Sequence, residues 1–156
     1  MSSPTGRELT IYLYLFSIIA VFPFLTSASS SLKFDLFGNM YRVHVINGFS
    51  SNDLPFLLHC WSSNDDLGHH SLYIGGDFNF HFGLRIIPPS TRFWCDMNRG
   101  PKYIPQVSVF EEDEVLHLCS HTQQCYWRGQ DNGLYFCNDN SSYFKLYDWY
   151  IRKKER

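Results

Sequence analysis

Beyond residue 40 the chain alternates apolar and polar residues in short runs broken by turn residues, the two-residue period of half-buried strands. In Tyr41–Asn47, Tyr41, Val43 and Val45 share one side and Arg42 and His44 the other. Asn47-Gly48 and 50–55 make a turn and loop before a second strand, Phe56–Trp61. Ser62 to Leu67 is rich in Ser, Asn and Asp, whose side chains accept hydrogen bonds from nearby backbone N–H groups, so it reads as a strand-to-loop corner. Leu72–Ile74, a Gly75-Gly76 turn and Phe78–Phe82 follow as an expected hairpin, with three Phe rings on one face. Prolines make 86–90 a linker. Thr91–Cys95 and Gln106–Phe110 are the next strands, joined by a long loop from Asp96 to Pro105 with its tip at 98–101. The acidic run Glu111–Glu114 ends the second of them as a solvated turn.

Val115–Cys119 and Gln124–Arg128 read as short strands around a Ser120–Gln123 loop. Asp131-Asn132-Gly133 is the strongest hairpin turn, since Asn-Gly suits a type I′ geometry. Leu134–Cys137 and the aromatic Tyr143–Tyr150 complete the chain. No helical period is sustained after residue 28. Hairpin spacing throughout predicts an all-β fold, an antiparallel β-sandwich of about eight short strands stapled by disulfides.

The N-terminus follows a different pattern. Residues 1–28 read as a secretory signal peptide, with Arg7 in a sparse n-region, an apolar stretch from Leu9 to Leu25 and small residues allowing a cut after Ala28. An uncleaved anchor is the competing reading, but Pro23 interrupts a stretch shorter than the roughly 20 residues a span needs. The expectations are a secreted, extracellular protein with no stable membrane insertion, a lead-in over 29–40, a single domain over 41–150 and a solvated basic tail over 151–156. A formal charge of −2 gives no basic face for nucleic acid. Phe, Tyr and Trp make up 18% of the chain, enough large rings to dominate a small core.

Five cysteines, Cys60, Cys95, Cys119, Cys125 and Cys137, read as disulfide partners in an oxidising compartment; only Cys119 and Cys125 come near the spacing of zinc ligands. His59, His70 and His117 are the candidates for a rival reading, a small secreted hydrolase or nuclease using histidine acid–base chemistry. A nucleophilic Cys60 would have to remain a thiol. Adjacent His69 and His70 point to opposite faces of an extended segment and do not share a metal. No calcium-loop pattern occurs, and no cofactor is expected. Asn140-Ser141-Ser142 is an N-glycosylation sequon in a polar turn.

The run His59-Cys60-x-Ser62-x-x-Asp65-Asp66-Leu67-Gly68-x-His70 resembles the signature of the plant self-incompatibility S-protein homologue family. Further pieces follow in that family's order: Thr91-x-Phe93-x-Cys95, Val107-x-Val109-Phe110, Cys119, Cys125-x-Trp127, Asp131-x-Gly133-Leu134-Tyr135 and Trp149. The resemblance implies the same sandwich and two bridges among Cys60, Cys95, Cys119 and Cys125, with three pairings open. Cys137 departs from the pattern and is either a buried free thiol or a handle for a dimer or a reshuffled bridge. The founding members are stigma proteins that bind a pollen membrane partner and trigger rejection of self pollen. The implied function is therefore that of a non-enzymatic secreted ligand for a cell-surface receptor or membrane protein, engaged through loops such as Asn98–Lys102 and Ser120–Gln123.

Overall fold

The computed structural model describes residues 40–84, 91–112 and 116–153. The leader, nearly all of the lead-in, the 86–90 linker, the acidic residues Asp113 and Glu114, Val115 and the last three residues lie outside the described residues, as do the side chains of Leu116 and His117. Among the described residues, ten strands and one helical turn run in the order β1 (Met40–Asn47), β2 (Phe56–Ser62), β3 (Asp66–Leu72), β4 (Asp77–Gly83), β5 (Arg92–Arg99), β6 (Lys102–Glu111), α1 (Leu116–Cys119), β7 (Gln124–Gln130), β8 (Gly133–Cys137), β9 (Phe144–Tyr147) and β10 (Tyr150–Ile151). They form two five-stranded sheets, sheet A in the order β4-β1-β7-β8-β9 and sheet B in the order β10-β6-β5-β2-β3. The fold is all-β, as the alternation predicts. One pair departs from the antiparallel expectation: β1 and β7 run parallel, Val43 opposite Cys125 and Val45 opposite Trp127. Both strands start at the same end of the sandwich and are far apart in sequence, so no hairpin constrains their direction.

The inward face of each strand is the apolar set of the alternation. Tyr41, Val43 and Val45 of β1 meet Phe56, Leu58 and Cys60 of β2, with Phe93, Cys95 and Met97 of β5 and Val107, Val109 and Phe110 of β6 completing the other wall. Phe82 packs against Phe93 and Phe110, each at 4.6 Å between ring centroids, and Trp127 meets Phe136 edge-on at 5.0 Å. The fully buried rings among these, Phe110, Trp127 and Phe136, each contribute about 1.5–3 kcal/mol of hydrophobic stabilisation. Trp127 also crosses the core, its indole N–H donating to the Val109 carbonyl at 2.9 Å and so joining sheet A to sheet B. Gly129 leaves room for the ring of Phe56, since a Cβ there would stand 2.9 Å from it.

Several connections differ from the sequence reading. Leu72–Ile74 and Phe78–Phe82 are not a hairpin: β3 lies in sheet B and β4 in sheet A. The turn between them docks on the end of β1, where the Asn47 N–H donates to Gly76, the Asn47 carbonyl accepts from Gly75, and the Asn47 amide donates to Leu72. That anchoring carries the chain across. The 96–105 segment is not a long loop, because β5 runs on to Arg99 and turns tightly at Gly100-Pro101 into β6. Segment 116–119 is helical rather than extended; the Gln123 N–H closes on the Cys119 carbonyl, and Cys119 must turn back to reach Cys125. Neither Asp131 nor Asn132, the residues between the Gln130–Gly133 pair, takes the positive φ of a type I′ turn. Tyr143–Tyr150 splits into β9 and β10 on different sheets around Asp148-Trp149, with the Trp149 N–H donating to Gln130 at 2.7 Å. Of the expected tail, Ile151 pairs with Lys102 and Arg152 is held at the sheet, its N–H donating to Pro101 and its guanidinium to Asn98.

Candidate functional site

The signature run becomes a turn and a strand. Ser62 closes the turn twice, its N–H donating to the Asp65 carbonyl at 2.8 Å and its hydroxyl oxygen accepting the N–H of Asp65 at 3.0 Å. The corner ends there, and Asp66–Leu72 pairs with β2 as β3, so Asp66, Leu67, Gly68 and His70 are strand residues rather than turn residues. Gly68, at φ 84°, stands opposite Cys60 where the pairing slips by one residue, and few side chains tolerate that backbone. The Asp66 carboxylate accepts the Gly68 N–H at 2.8 Å and meets His59 Nε2 at 3.0 Å, and these two interactions, in that order, hold its pKa below the ordinary value. Leu67 packs against the core. His70 lies against the ring of Phe78 at 3.7 Å, with Nε2 at 2.9 Å from the Leu67 carbonyl oxygen. The polar groups of the signature are thus used to shape the chain.

This geometry bears on the hydrolase reading. Cys60 is bonded to Cys95 across β2 and β5, so it offers no thiolate. His59 stacks on His69 at 4.1 Å on the outer face of sheet B, whereas His70 faces Phe78 of the opposite sheet. The two histidines that acid–base chemistry would pair therefore lie on opposite faces of one sheet. A further histidine, His44, is held between Asp77 at 2.7 Å and Gln124 at 3.1 Å and stacks on Tyr126 at 4.5 Å. Both of its ring nitrogens are engaged in packing sheet A, and the sequence alone gave no sign of it.

The two loops expected to recognise a partner lie at opposite ends of the sandwich. Asn98–Lys102 sits where β2 begins and Ser120–Gln123 where β1 and β7 begin. They do not form one surface. At the first, the side chains are engaged: Arg99 donates to the Ser51 and Leu54 carbonyls and lies over Phe49 at 4.5 Å, and Lys102 donates to the Asp131 carbonyl at 2.6 Å. At the second, Ser120, His121 and Thr122 are exposed on a ring closed by the Cys119–Cys125 bridge, with Gln123 at φ 58°.

Asn140 is exposed at φ 57°, in a turn whose Ser141 and Ser142 N–H groups donate to Asp139 at 2.9 Å. The Tyr143 hydroxyl donates to the Asn140 side-chain oxygen at 2.5 Å. Cys137 is a buried free thiol beneath this turn, and burial together with that thiol pushes the Tyr143 pKa upward.

A feature the sequence reading passed over is the pair Trp61 and Trp94, which are partners in the β2–β5 register. Their neighbours Cys60 and Cys95 face the core, so the indoles face outward. Two adjoining depressions, of about 570 and 320 Å³, share Trp61 and Gln106. The larger is bounded by His59, Asp66, Asp96 and the Ser62–Asp65 turn. The signal available in the sequence was a large ring on the polar phase of two alternating strands.

Comparison with known proteins bears on this architecture. A family model for plant self-incompatibility protein S1 matches residues 42–149. Among curated Arabidopsis thaliana proteins, S-protein homolog 1 is 36% identical over 102 residues, 65% of either chain. S-protein homolog 17 is 27% identical over 154 residues, covering 92% of this chain and 98% of that one. The chain's matched part thus spans just under two thirds of the first relative and nearly all of the second. A solved self-incompatibility protein homologue shares the fold at a TM-score of 0.54 and 18% identity, over 72% of this chain and 96% of its own. That structure is described as representing a widespread family of small, highly stable, secreted proteins from plants.

Proposed function

This chain belongs to the plant self-incompatibility protein S1 family, and on that premise we propose that it is a secreted, non-enzymatic ligand that binds a cell-surface partner in signalling between plant cells. Residues 1–28 act as its cleaved leader. The observation that carries the reading is the bridged 119–125 ring, which presents exposed Ser120, His121 and Thr122 on a backbone fixed by a disulfide and by the Gln123–Cys119 hydrogen bond. A loop fixed before binding loses little conformational entropy when it docks, so a small contact can still be selective. The Asn98–Lys102 hairpin is set aside as a contact surface, because its cations are committed to holding neighbouring loops.

The test uses the tagged mature chain, starting at Ser29, on intact plant protoplasts. Saturable binding is expected, lost after surface proteolysis and reduced about tenfold when 120–122 are replaced by Gly-Ala-Gly. Binding that survives both treatments would overturn the proposal. Pollen recognition is the finer version of it. An antibody against residues after Ser31 should then find the protein in stigma or style extracellular fluid, whereas accumulation in root, seed or leaf fluid assigns it to another pathway.

A further inference from the structure

We propose that the outer face of sheet B is a glycan-binding site, where Trp61 and Trp94 stack on the sugar rings of a neutral polysaccharide and Gln106, Asn64 and Asp96 hydrogen-bond its hydroxyls. The first observation is a contrast among the four tryptophans. Trp127 and Trp149 donate their indole N–H groups to backbone carbonyls, as packed indoles do. Trp61 and Trp94 have no such partner among the described residues and are only half-buried, side by side on adjacent strands. Neighbouring strands lie about 4.8 Å apart, so the two indoles stand on one outward surface, with the His59 ring 5.1 Å from that of Trp61. An indole face is electron-rich and attracts the polarised C–H groups of a pyranose ring, while its N–H remains available to a hydroxyl.

A second observation is independent of the indoles. Gln106 is a non-glycine strand residue at φ 50°, where the β5–β6 pairing slips, and its N–H donates to Asp96 Oδ1 at 2.8 Å. Such a bulge re-aims a side chain, and this one stands at the boundary of both depressions with its amide exposed and without a partner among the described residues. Asn64 supplies a second exposed amide across the larger depression.

The chemistry of the lining selects the ligand class. Apart from the two indoles, every side chain bounding the depressions carries a polar group able to hydrogen-bond, and there is no aliphatic anchor of the kind that centres a protein interface. Flat aromatic faces beside amides and carboxylates match a molecule that alternates C–H faces with hydroxyl edges. Asp65, Asp66 and Asp96 line the depressions without any Lys or Arg; His59 and His69 also face them, and Arg92, two residues from Trp94 on the same face, has its charge balanced by Glu111 at 2.9 Å. Those carboxylates oppose a uronate polymer and favour a neutral one. The inference is separate from the receptor reading, whose contact lies on the 119–125 ring.

The experiment is affinity electrophoresis of the mature, oxidised chain in gels containing xyloglucan, mannan or polygalacturonate, with tryptophan fluorescence titration by cellohexaose. Retardation by at least one neutral probe is expected, with none by polygalacturonate. Trp61→Ala/Trp94→Ala should weaken binding about tenfold or more. Gln106→Ala, a change to an exposed and unpartnered side chain, should weaken it severalfold at unchanged thermal stability, which keeps the test valid if the double variant misfolds. Failure of every neutral probe, preference for polygalacturonate, or unchanged binding in Gln106→Ala together with a folded double variant would each overturn the proposal.

Discussion

The two disulfides close loops of very different length, and that difference sets what each contributes to stability. Cys60–Cys95 spans 35 residues of sequence and Cys119–Cys125 spans 6. All four sulfurs belong to residues with no solvent exposure, so the burial lost on replacing either pair by alanine is similar. What remains is the chain entropy that each bridge removes from the unfolded state. By the loop-closure relation this is about 4 kcal/mol for the longer loop and about 2 kcal/mol for the shorter. Folding free energies of small domains lie near 5–15 kcal/mol, so losing the first bridge consumes a large share. With a urea m-value of about 1.5 kcal/mol/M, Cys60→Ala/Cys95→Ala should lower the unfolding midpoint by about 2.5 M and Cys119→Ala/Cys125→Ala by about 1.5 M. The assay is equilibrium urea unfolding of the mature chain, followed by tryptophan fluorescence and far-UV circular dichroism. Equal losses, or a larger loss from the short bridge, would refute the entropic reasoning and show that native-state geometry at one bridge dominates.

Three further outcomes follow from single contacts. Trp127→Phe keeps an aromatic ring but leaves the buried Val109 carbonyl without its donor, and should cost about 1–3 kcal/mol in the same urea assay. Asp66 is held below its ordinary value of 3.8 by the Gly68 N–H and by His59. A carboxyl whose folded pKa is depressed adds stability above its unfolded pKa and loses it as pH falls through the folded value. The Gly68 amide should therefore show a protection that declines on acidification below about pH 4, and Asp66→Asn should abolish that dependence in hydrogen exchange. Cys137, 2% exposed, should resist alkylation in the native protein and react with one equivalent of iodoacetamide in urea; rapid native labelling or a disulfide-linked dimer would favour its reading as a handle.

The parts of the fold legible in the sequence are those fixed by local alternation. Tyr41-Val43-Val45, Phe78-Phe80-Phe82 and Val107-Val109 each declare a buried face within one strand, and the structure turns those faces inward. The choice of sheet was not legible, because it depends on contacts distant in sequence. Asn47 decides that β4 leaves sheet B, yet its hydrogen bonds to Leu72, Gly75 and Gly76 cannot be inferred from an Asn-Gly pair. The same holds for 116–119, whose apolar alternation is overridden by the turn needed to bring Cys119 to Cys125. At the candidate site, a turn does stand at Ser62–Asp65, but the expected corner ran on into β3, since polar Asp66 and His69 resemble loop residues and are instead strand residues facing solvent.

One regularity connects the family motif to the proposed sites. Most of the residues that carry the resemblance face the core or use their polar groups on the backbone: Cys60 and Cys95 in their bridge, Phe93, Val107, Val109 and Trp127 in the core, and Ser62 and Asp66 in closing turns. The unspecified positions between them alternate outward. In Cys60-x-Ser62 that position is Trp61, in Phe93-x-Cys95 it is Trp94, and in Gly68-x-His70 it is His69. A strand period of two produces this wherever the motif records buried residues two apart, since the place between them faces out. The resemblance therefore identifies a scaffold, and family membership by itself says little about what the scaffold holds. Binding specificity has to be sought in side chains the motif leaves free, and here those are the paired indoles, the Gln106 amide and the exposed tip of the 119–125 ring.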